Sequence, residues 1–395
     1  MVRRLITSKP TLSGRTAYTK LSSTLLQLYP VTTPILLFKD SISKNSEDKP
    51  FSYLFINLIL IDLRSSFPAL LPKLNSADYP AISERLAAAF DILCSFIGFL
   101  VRSLDEESYI PGFSMPPDLL LKLRKDIAET VSLTIEYLRD RWDASIAGAA
   151  GLHPAARSGT AATSEGTRLT LTWDSMKDDV GADPLILAGI RGIALWIRED
   201  ENENLRNEAA GLMDMLLELY KQDDDSKSQY RYPILLALEG IMLTDEALEI
   251  FLGQQGYSIL ATDLQSIIHS MAISESDAAR GTQIIRVLLA VLDHSSSTLP
   301  EESWMDVVKT TATLKVPSVT PSSPILEFYI ACLQLSTGLL SKSSGGMTKR
   351  FITSQPALRG LTKQLKLLAL KMDNGKEGKE FEELLDDVII DLGNL

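Results

Sequence analysis

The residues that could do chemistry in this sequence are few and widely scattered. There are three histidines, His153, His269 and His294, and two cysteines, Cys94 and Cys332. No histidine stands at metal-ligand spacing from a cysteine or from another histidine, so neither a zinc site nor a Cys–His nucleophile can be read locally. Asp223, Asp224 and Asp225 could attract a cation, but they lack the glycine and terminal glutamate of a calcium loop. No GxxxxGK[ST] loop, strand-linked GxGxxG or GxSxG elbow occurs. The pair Gly345-Gly346 reads as a turn too short to cradle a phosphate. These observations predict no catalytic residue, no metal site and no cofactor. A helical enzyme would need a pocket with converging polar groups from distant parts of the chain.

Two other clusters could bind rather than react. Glu199, Asp200, Glu201 and Glu203 form a dense acidic turn between two helical patterns. They read either as capping and dipole compensation for the second helix or as an exposed docking edge for a basic partner. Near the C-terminus, Phe381, Leu384, Leu385, Val388, Ile389 and Leu392 make a helical stripe flanked by acids. It reads either as the cap of a helical stack or as a docking helix, with Leu384, Leu385 and Ile389 as contact residues.

The elements that would carry these groups are nearly all helical. The chain has 395 residues, 45% of them hydrophobic, enough for an extensive core, and a net charge of −12. Basic residues are scattered singly, which argues against nucleic-acid binding. Both cysteines lie in apolar stretches and read as buried free thiols, and there is no N-glycosylation sequon or signal peptide, so a cytoplasmic location is expected. The apolar stretches 51–63 and 86–104 are too short or too charged to span a membrane and read as buried core helices.

The helical pattern runs from Thr16 to Tyr29 with Pro30 and Pro34 as stops, from Phe51 to Leu71 with Pro68 as a break, and from Ser83 to Leu104 with Ser83 as cap. A further helix runs from Asp118 to Trp142. The stretch AGAAGLHPAARSGTAATSEGT within 144–181 lacks large apolar residues and reads as a flexible loop, with a brief ordered patch at 169–173. Pro184 to Tyr220 reads as two amphipathic helices joined by the acidic turn, with Asn202 as cap. Helices continue to Leu292, and the stretch EALEIFLGQQGYSILATDLQSII has a form common in armadillo repeats. A weak zone follows at 300–324, then helices to the end. The expected organisation is a helical array at 1–143, a flexible insert at 144–183, central repeats at 184–300, a loop at 301–324 and C-terminal helices at 325–395. The fold class is an all-α, armadillo/HEAT-like α-solenoid of antiparallel helix pairs, without a strict repeat period.

The stretch AGIRGIALWIREDENENLRNEAAGLMDMLLELY resembles the neurochondrin family, with its Arg- and Trp-containing helix, acidic turn and "LR.E" helix. The stretches FSYLFINLILIDLRSSFPALL and ERLAAAFDILCSFIGFLVRSL look like the preceding helical pair, and YPILLALEGIMLTDEALEIFLGQQGYSILATDL like the following one. The resemblance implies an armadillo-like, non-enzymatic cytoplasmic adaptor, linked in animals to neurite outgrowth, receptor signalling and small GTPases. It supplies no catalytic residues. It would place this chain at the C-terminal half of the larger family members, as a fragment, a truncated gene model or a shortened paralogue. The neuronal role depends on the organism and is not carried over. The expectation is therefore a scaffold with protein partners, no nucleic acid and no small-molecule substrate. The alternative is a trafficking or transport adaptor held peripherally on a membrane by an exposed apolar helix face.

Overall fold

The structure is a computed structural model. It describes residues 2–8, 11–40, 49–74, 76–104, 115–146, 180–222, 228–294, 300–317, 320–371 and 377–394. Among these residues the regular structure is α-helix and short 3-10 turns, with no strand. The chain divides into two compact units, Met1–Ala237 and Leu238–Leu395.

The N-terminal unit begins with α1 (Val2–Thr7), α2 (Leu12–Leu28), α3 (Thr32–Phe38) and α4 (Phe51–Ser66). Pro34 sits in the first turn of α3, where its missing N–H costs nothing, so it starts a helix rather than stopping one. Pro68 ends α4 as expected, in a 3-10 turn at Phe67–Ala69. Next come α5 (Tyr79–Leu104) and α6 (Pro117–Ile146). Ser83 does not cap α5, because Tyr79 and Pro80 already lie in its first turn. On α6 the stripe expected from 3–4 spacing is buried at Leu123, Ile127, Val131, Ile135, Leu138 and Trp142, while Leu119 at its start is half-buried. Ala144 is buried at the end of α6 rather than opening a loop. The rest of the expected insert, including His153 and the patch at 169–173, lies outside the described residues, as do Asp223, Asp224 and Asp225.

The helices α7 (Pro184–Glu199), α8 (Glu203–Ala210) and α9 (Met213–Lys221) follow, and α10 (Arg231–Ile241) runs across the division. The expected second helix of the central pair is thus two. Tighter bonds from Gly211 N to Glu208 O and from Leu212 N to Ala209 O break it. Its stripe Leu205, Ala209, Leu212, Leu216 and Leu219 stays buried across the break. Helix α5 packs on α2 and α7, and α6 packs on α4, α7 and α8. Gly192 lets α7 lie close to α5, since a Cβ there would stand 2.8 Å from Phe90 Cδ1. Length and hydropathy alone would let α5 cross a membrane. Its Leu86, Phe90, Leu93, Phe96 and Ile97 are instead packed in the protein interior.

The C-terminal unit contains α11 (Asp245–Gly253), α12 (Gly256–His269), α13 (Glu275–His294), α14 (Asp306–Ala312), α15 (Ser323–Lys342), α16 (Gly345–Arg350), α17 (Ser354–Ala369) and α18 (Glu377–Asn394). The expected loop at 301–324 contains a 3-10 turn at Glu302–Met305 and then α14. Trp304, Met305, Val307 and Val308 are buried, and Trp304 stacks on Tyr257 at 3.9 Å. Four large apolar side chains in five residues outweigh the β-branched, weakly helical composition that follows. Gly345-Gly346 opens α16, capped by the Ser344 hydroxyl, rather than forming a turn. Helix α15 is also long and apolar enough to span a membrane. It packs on α13, α14, α17 and α18.

One polar cluster pins the N-terminal unit. The Asp183 carboxylate caps α7 by accepting from Leu185 N at 3.0 Å, and it also accepts from the Tyr79 and Ser83 hydroxyls of α5. Tyr79 and Tyr137 of α6 share a further hydrogen bond at 2.7 Å. Burial, then the neighbouring Tyr137 and Asp183, push the Tyr79 hydroxyl pKa well above its ordinary value. The shift favours the protonated hydroxyl, the form that donates to Asp183.

Two outcomes are expected. Asp183→Ala strands two buried hydroxyls and removes a cap, and should cost the N-terminal unit about 3 kcal/mol in urea unfolding followed by circular dichroism. Asp183→Asn, which keeps an acceptor, should cost less; equal stability of Asp183→Ala and the parent would refute the clamp. In the C-terminal unit, a Cβ on Gly281 would collide with the Phe328 ring, so Gly281→Ala should destabilise by about 1–3 kcal/mol. Gly98→Ala, with open space around it, should be neutral or stabilising by under about 1 kcal/mol.

Candidate functional site

The acidic turn after α7 divides its charges between two tasks. Helix α7 stops because Asp200 takes up extended backbone at φ −113°, ψ 123°. Asp200 is only 6% exposed. Its carboxylate accepts from Arg124 Nη2 at 2.6 Å and Nε at 3.1 Å, and its carbonyl accepts from Arg206 at 3.4 Å. Asp200 is therefore no part of an exposed docking edge: it fastens the turn to α6, and burial of a carboxylate demands such a partner. Asn202 caps α8 as the sequence indicates, accepting from the amides of Asn204 and Leu205. Glu199 pairs with Arg198 at 2.9 Å. Glu201 and Glu203 are exposed and make no ion pair among the described residues. Glu203 stands in the first turn of α8, where the helix dipole favours it.

Beside this turn the ends of three helices leave a groove of about 540 Å3. Ile97, Leu100 and Val101 line it from the last turns of α5, Leu120, Leu121, Leu123 and Ile127 from the start of α6, and Trp196 from α7. Arg124, Glu199 and Asp200 stand at its edge. Leu121 is 65% exposed and Val101 is exposed too, so the wall presents apolar surface to water. Lys122 falls on the opposite face of α6 at 100° per residue, whereas Lys125, one turn on from Leu121, is exposed and 3.8 Å from Glu129. Trp196 is 6% exposed, and its buried indole N–H has no acceptor among the described residues. Trp142, by contrast, donates to Asp214 at 2.9 Å.

The C-terminal stripe is mostly spent on packing. Phe381, Leu385, Val388 and Leu392 are buried, and α18 packs on α15 and α17. Lys366 of α17 binds Asp386 at 2.6 Å, and Arg359 donates to the Leu392 carbonyl. Leu385 is wholly buried, so it is not a contact residue for a partner. Leu384 is partly exposed and Ile389 half-buried.

Among the described residues, no group of three or more His, Cys, Asp or Glu could hold a metal ion. His269 lies on the exposed side of α12 with Nδ1 2.7 Å from the Gln265 carbonyl oxygen, and His294 is at the end of α13. Cys332 is buried, as expected, but Cys94 is only partly so; desolvation, then the Asp91 charge, raise the Cys94 thiol pKa, and burial raises that of Cys332. The groove escaped the sequence reading because its walls come from three helices far apart in the chain. Its local signals were Leu120 and Leu121, apolar residues outside the α6 stripe.

Comparison with known proteins places the chain. The family model for Neurochondrin matches residues 1–312. An uncharacterised protein of Schizosaccharomyces pombe is 19% identical over 214 residues, covering 54% of this chain. The aligned region spans 33% of that yeast protein's length. No solved structure matches. With a family match over most of its length, on an all-helical structure, the chain belongs to the neurochondrin family.

Proposed function

We propose that this protein is a non-enzymatic scaffold, an armadillo/HEAT-like α-solenoid of antiparallel helix pairs that holds protein partners on its helical surface. The observation that carries this reading is the apolar groove at the ends of α5, α6 and α7, which leaves Val101 and Leu121 exposed. The packing of α5 on α2 and α7, with α6 on α4 and α8, supports two rows of stacked helices, the arrangement in which each pair buries its face on the next. Family membership supports a binding rather than a catalytic role. A cytoplasmic location belongs to the same reading.

A second reading, peripheral attachment to a membrane, is favoured by one feature. Leu54, Leu58 and Ile61 are exposed at i, i+4, i+7 spacing along α4. Large apolar faces left in water mark interaction surfaces.

Affinity purification of the tagged chain from its own cells, read by quantitative mass spectrometry, should return stoichiometric protein partners. Recovery of chaperones alone would count against the scaffold. Flotation with liposomes should leave the chain in the bottom fraction, whereas flotation abolished by Leu54→Ser with Leu58→Ser would establish the membrane reading. A scaffold also needs no activated thiol. Iodoacetamide at neutral pH should label Cys94 and Cys332 slowly in the folded chain and readily in guanidinium, because little thiolate is present. Rapid labelling of folded Cys94 would point instead to nucleophilic chemistry.

A further inference from the structure

We infer that the exposed face of α4 docks an acidic amphipathic helix of a partner protein. Its apolar side chains lie on Leu54, Leu58 and Ile61, and its carboxylates reach the N-terminal end of α4. The inference rests on the scaffold reading and names a surface and a kind of partner for it. Leu54, Leu58 and Ile61 are 44%, 40% and 48% exposed. At i, i+4 and i+7 they form one strip, about 10 Å long at 1.5 Å per residue. The other side of α4 is spent on the core, where Ile56, Ile59, Leu60 and Leu63 are buried. A strip of this spacing left in water is the kind of surface on which a partner helix lays its own apolar face.

The charge around the strip selects the partner. Residues 1–74 hold ten Lys and Arg against four Asp and Glu, although the chain as a whole carries −12. Three of those cations meet at the start of α4. The Arg3 guanidinium lies 4.6 Å from the centroid of the Phe51 ring and donates to the carbonyls of Leu37 and Lys39. The Lys49 ammonium lies 5.6 Å from the centroid of the Tyr53 ring. Lys39 and Lys49 are exposed, and neither makes an ion pair among the described residues. The carboxylates in the described part of this stretch, Asp40 and Asp62, are both used internally. Asp40 is 5% exposed and accepts from the Ser52 amide at 3.0 Å and its hydroxyl at 2.7 Å. Asp62 is held by Arg85 of α5. A lysine on a partner would meet exposed cations here and no uncommitted carboxylate. A glutamate would meet Arg3, Lys39 and Lys49 together, and complementarity of this sort steers association and selects partners.

The same strip could lie on an anionic bilayer, and shape separates the two. A bilayer is a plane. Laid along α4, it would also approach Glu129 of α6, whose side chain is 49% exposed beside Arg64 near the other end of the strip. It would further face a chain that is strongly acidic beyond residue 74. A helix of two or three turns follows the strip alone and places its acids only at the basic end.

The test uses the full chain and three synthetic helical peptides. They share one leucine stripe and differ only at their polar positions, which are glutamate, glutamine or lysine. Fluorescence anisotropy should show the glutamate peptide binding about tenfold more tightly than the glutamine peptide, with no binding of the lysine peptide. Lys39→Glu with Lys49→Glu should weaken the glutamate peptide about tenfold and flatten its salt dependence. Leu58→Asp should weaken it at low and high salt alike. Leu121→Ser, in the groove at the ends of α5, α6 and α7, should leave it unchanged, and circular dichroism should show every variant folded. Equal binding of the glutamate and lysine peptides, unaltered binding by Leu58→Asp, or no binding of any peptide would overturn the inference. Flotation with phosphatidylserine vesicles that is lost in Lys39→Glu, Lys49→Glu would overturn it too, since a membrane would then be the occupant. So would peptide binding that appears only after Glu47→Gln with Asp48→Asn, since the chain's own residues 41–48 would then hold the cations. If stoichiometric partners still purify with the chain while every peptide fails, the scaffold reading stands and this inference alone falls.

Discussion

The N-terminal unit depends on one buried carboxylate. Asp183 begins α7 by capping it and, with the same two oxygens, takes the hydroxyls of Tyr79 and Ser83 at the start of α5. Through Tyr79 it reaches Tyr137 on α6. A carboxylate removed from water is tolerated only when its lone pairs are filled, so the three helices must meet in one register for any of them to be satisfied. Apolar burial supplies most of the stability here, but it is indifferent to small sliding. The hydroxyl–carboxylate cluster is what fixes where along their lengths the helices touch.

That register determines what happens at the opposite end of the same three helices. From Ser83 to Ile97 α5 rises about 20 Å at 1.5 Å per residue. There the last turns of α5 and α7 face the first turns of α6. Arg124 and Asp200 hold the far end together at 2.6 Å, a second polar tie matching the first. Between the ties the stripes close on one another. Beyond the second, the apolar side chains meet no further helix among the described residues, and the groove is what remains. Its position is a consequence of helix length and register, and the charges at its edge belong to the tie between Arg124 and Asp200 and to the Arg198–Glu199 pair.

Local and distant requirements explain how much of this was legible in the sequence. The stripes of α6 and α7 and the Asn202 cap obey rules that act within one or two turns, so spacing reveals them. The Pro68 break is equally local. Asp183 precedes Pro184 in a pattern typical of a helix start, yet its partners lie about a hundred residues earlier, and no local rule joins them. Asp200 looked like one more exposed acid because Arg124, 76 positions away, is invisible to a turn-by-turn reading. Residues 306–312 were hidden differently. Their threonines and the prolines that follow resemble a loop, and only the burial of Trp304, Met305, Val307 and Val308 makes the segment helical. Leu385 reversed in the same way, from a candidate contact to a core residue, because α15 and α17 were needed to cover it.

The acidic turn shows why composition alone misjudges a surface. Four carboxylates within five residues suggest a uniform patch, but their positions assign them unlike roles. Asp200 is buried and must be paired; Glu199 shares an exposed pair worth little in stability. Glu203 sits where a helix N-terminus favours a negative charge, and Glu201 lies between it and the buried pair. Neither of these last two makes an ion pair with a neighbouring helix among the described residues. The same reasoning applies to the apolar wall. Ile97 and Ile127 are fully committed to the core, whereas Leu121 contributes little to it at 65% exposure. One turn on, Lys125 is exposed as well, so apolar and charged surface lie side by side along α6 without either being needed by the two polar ties.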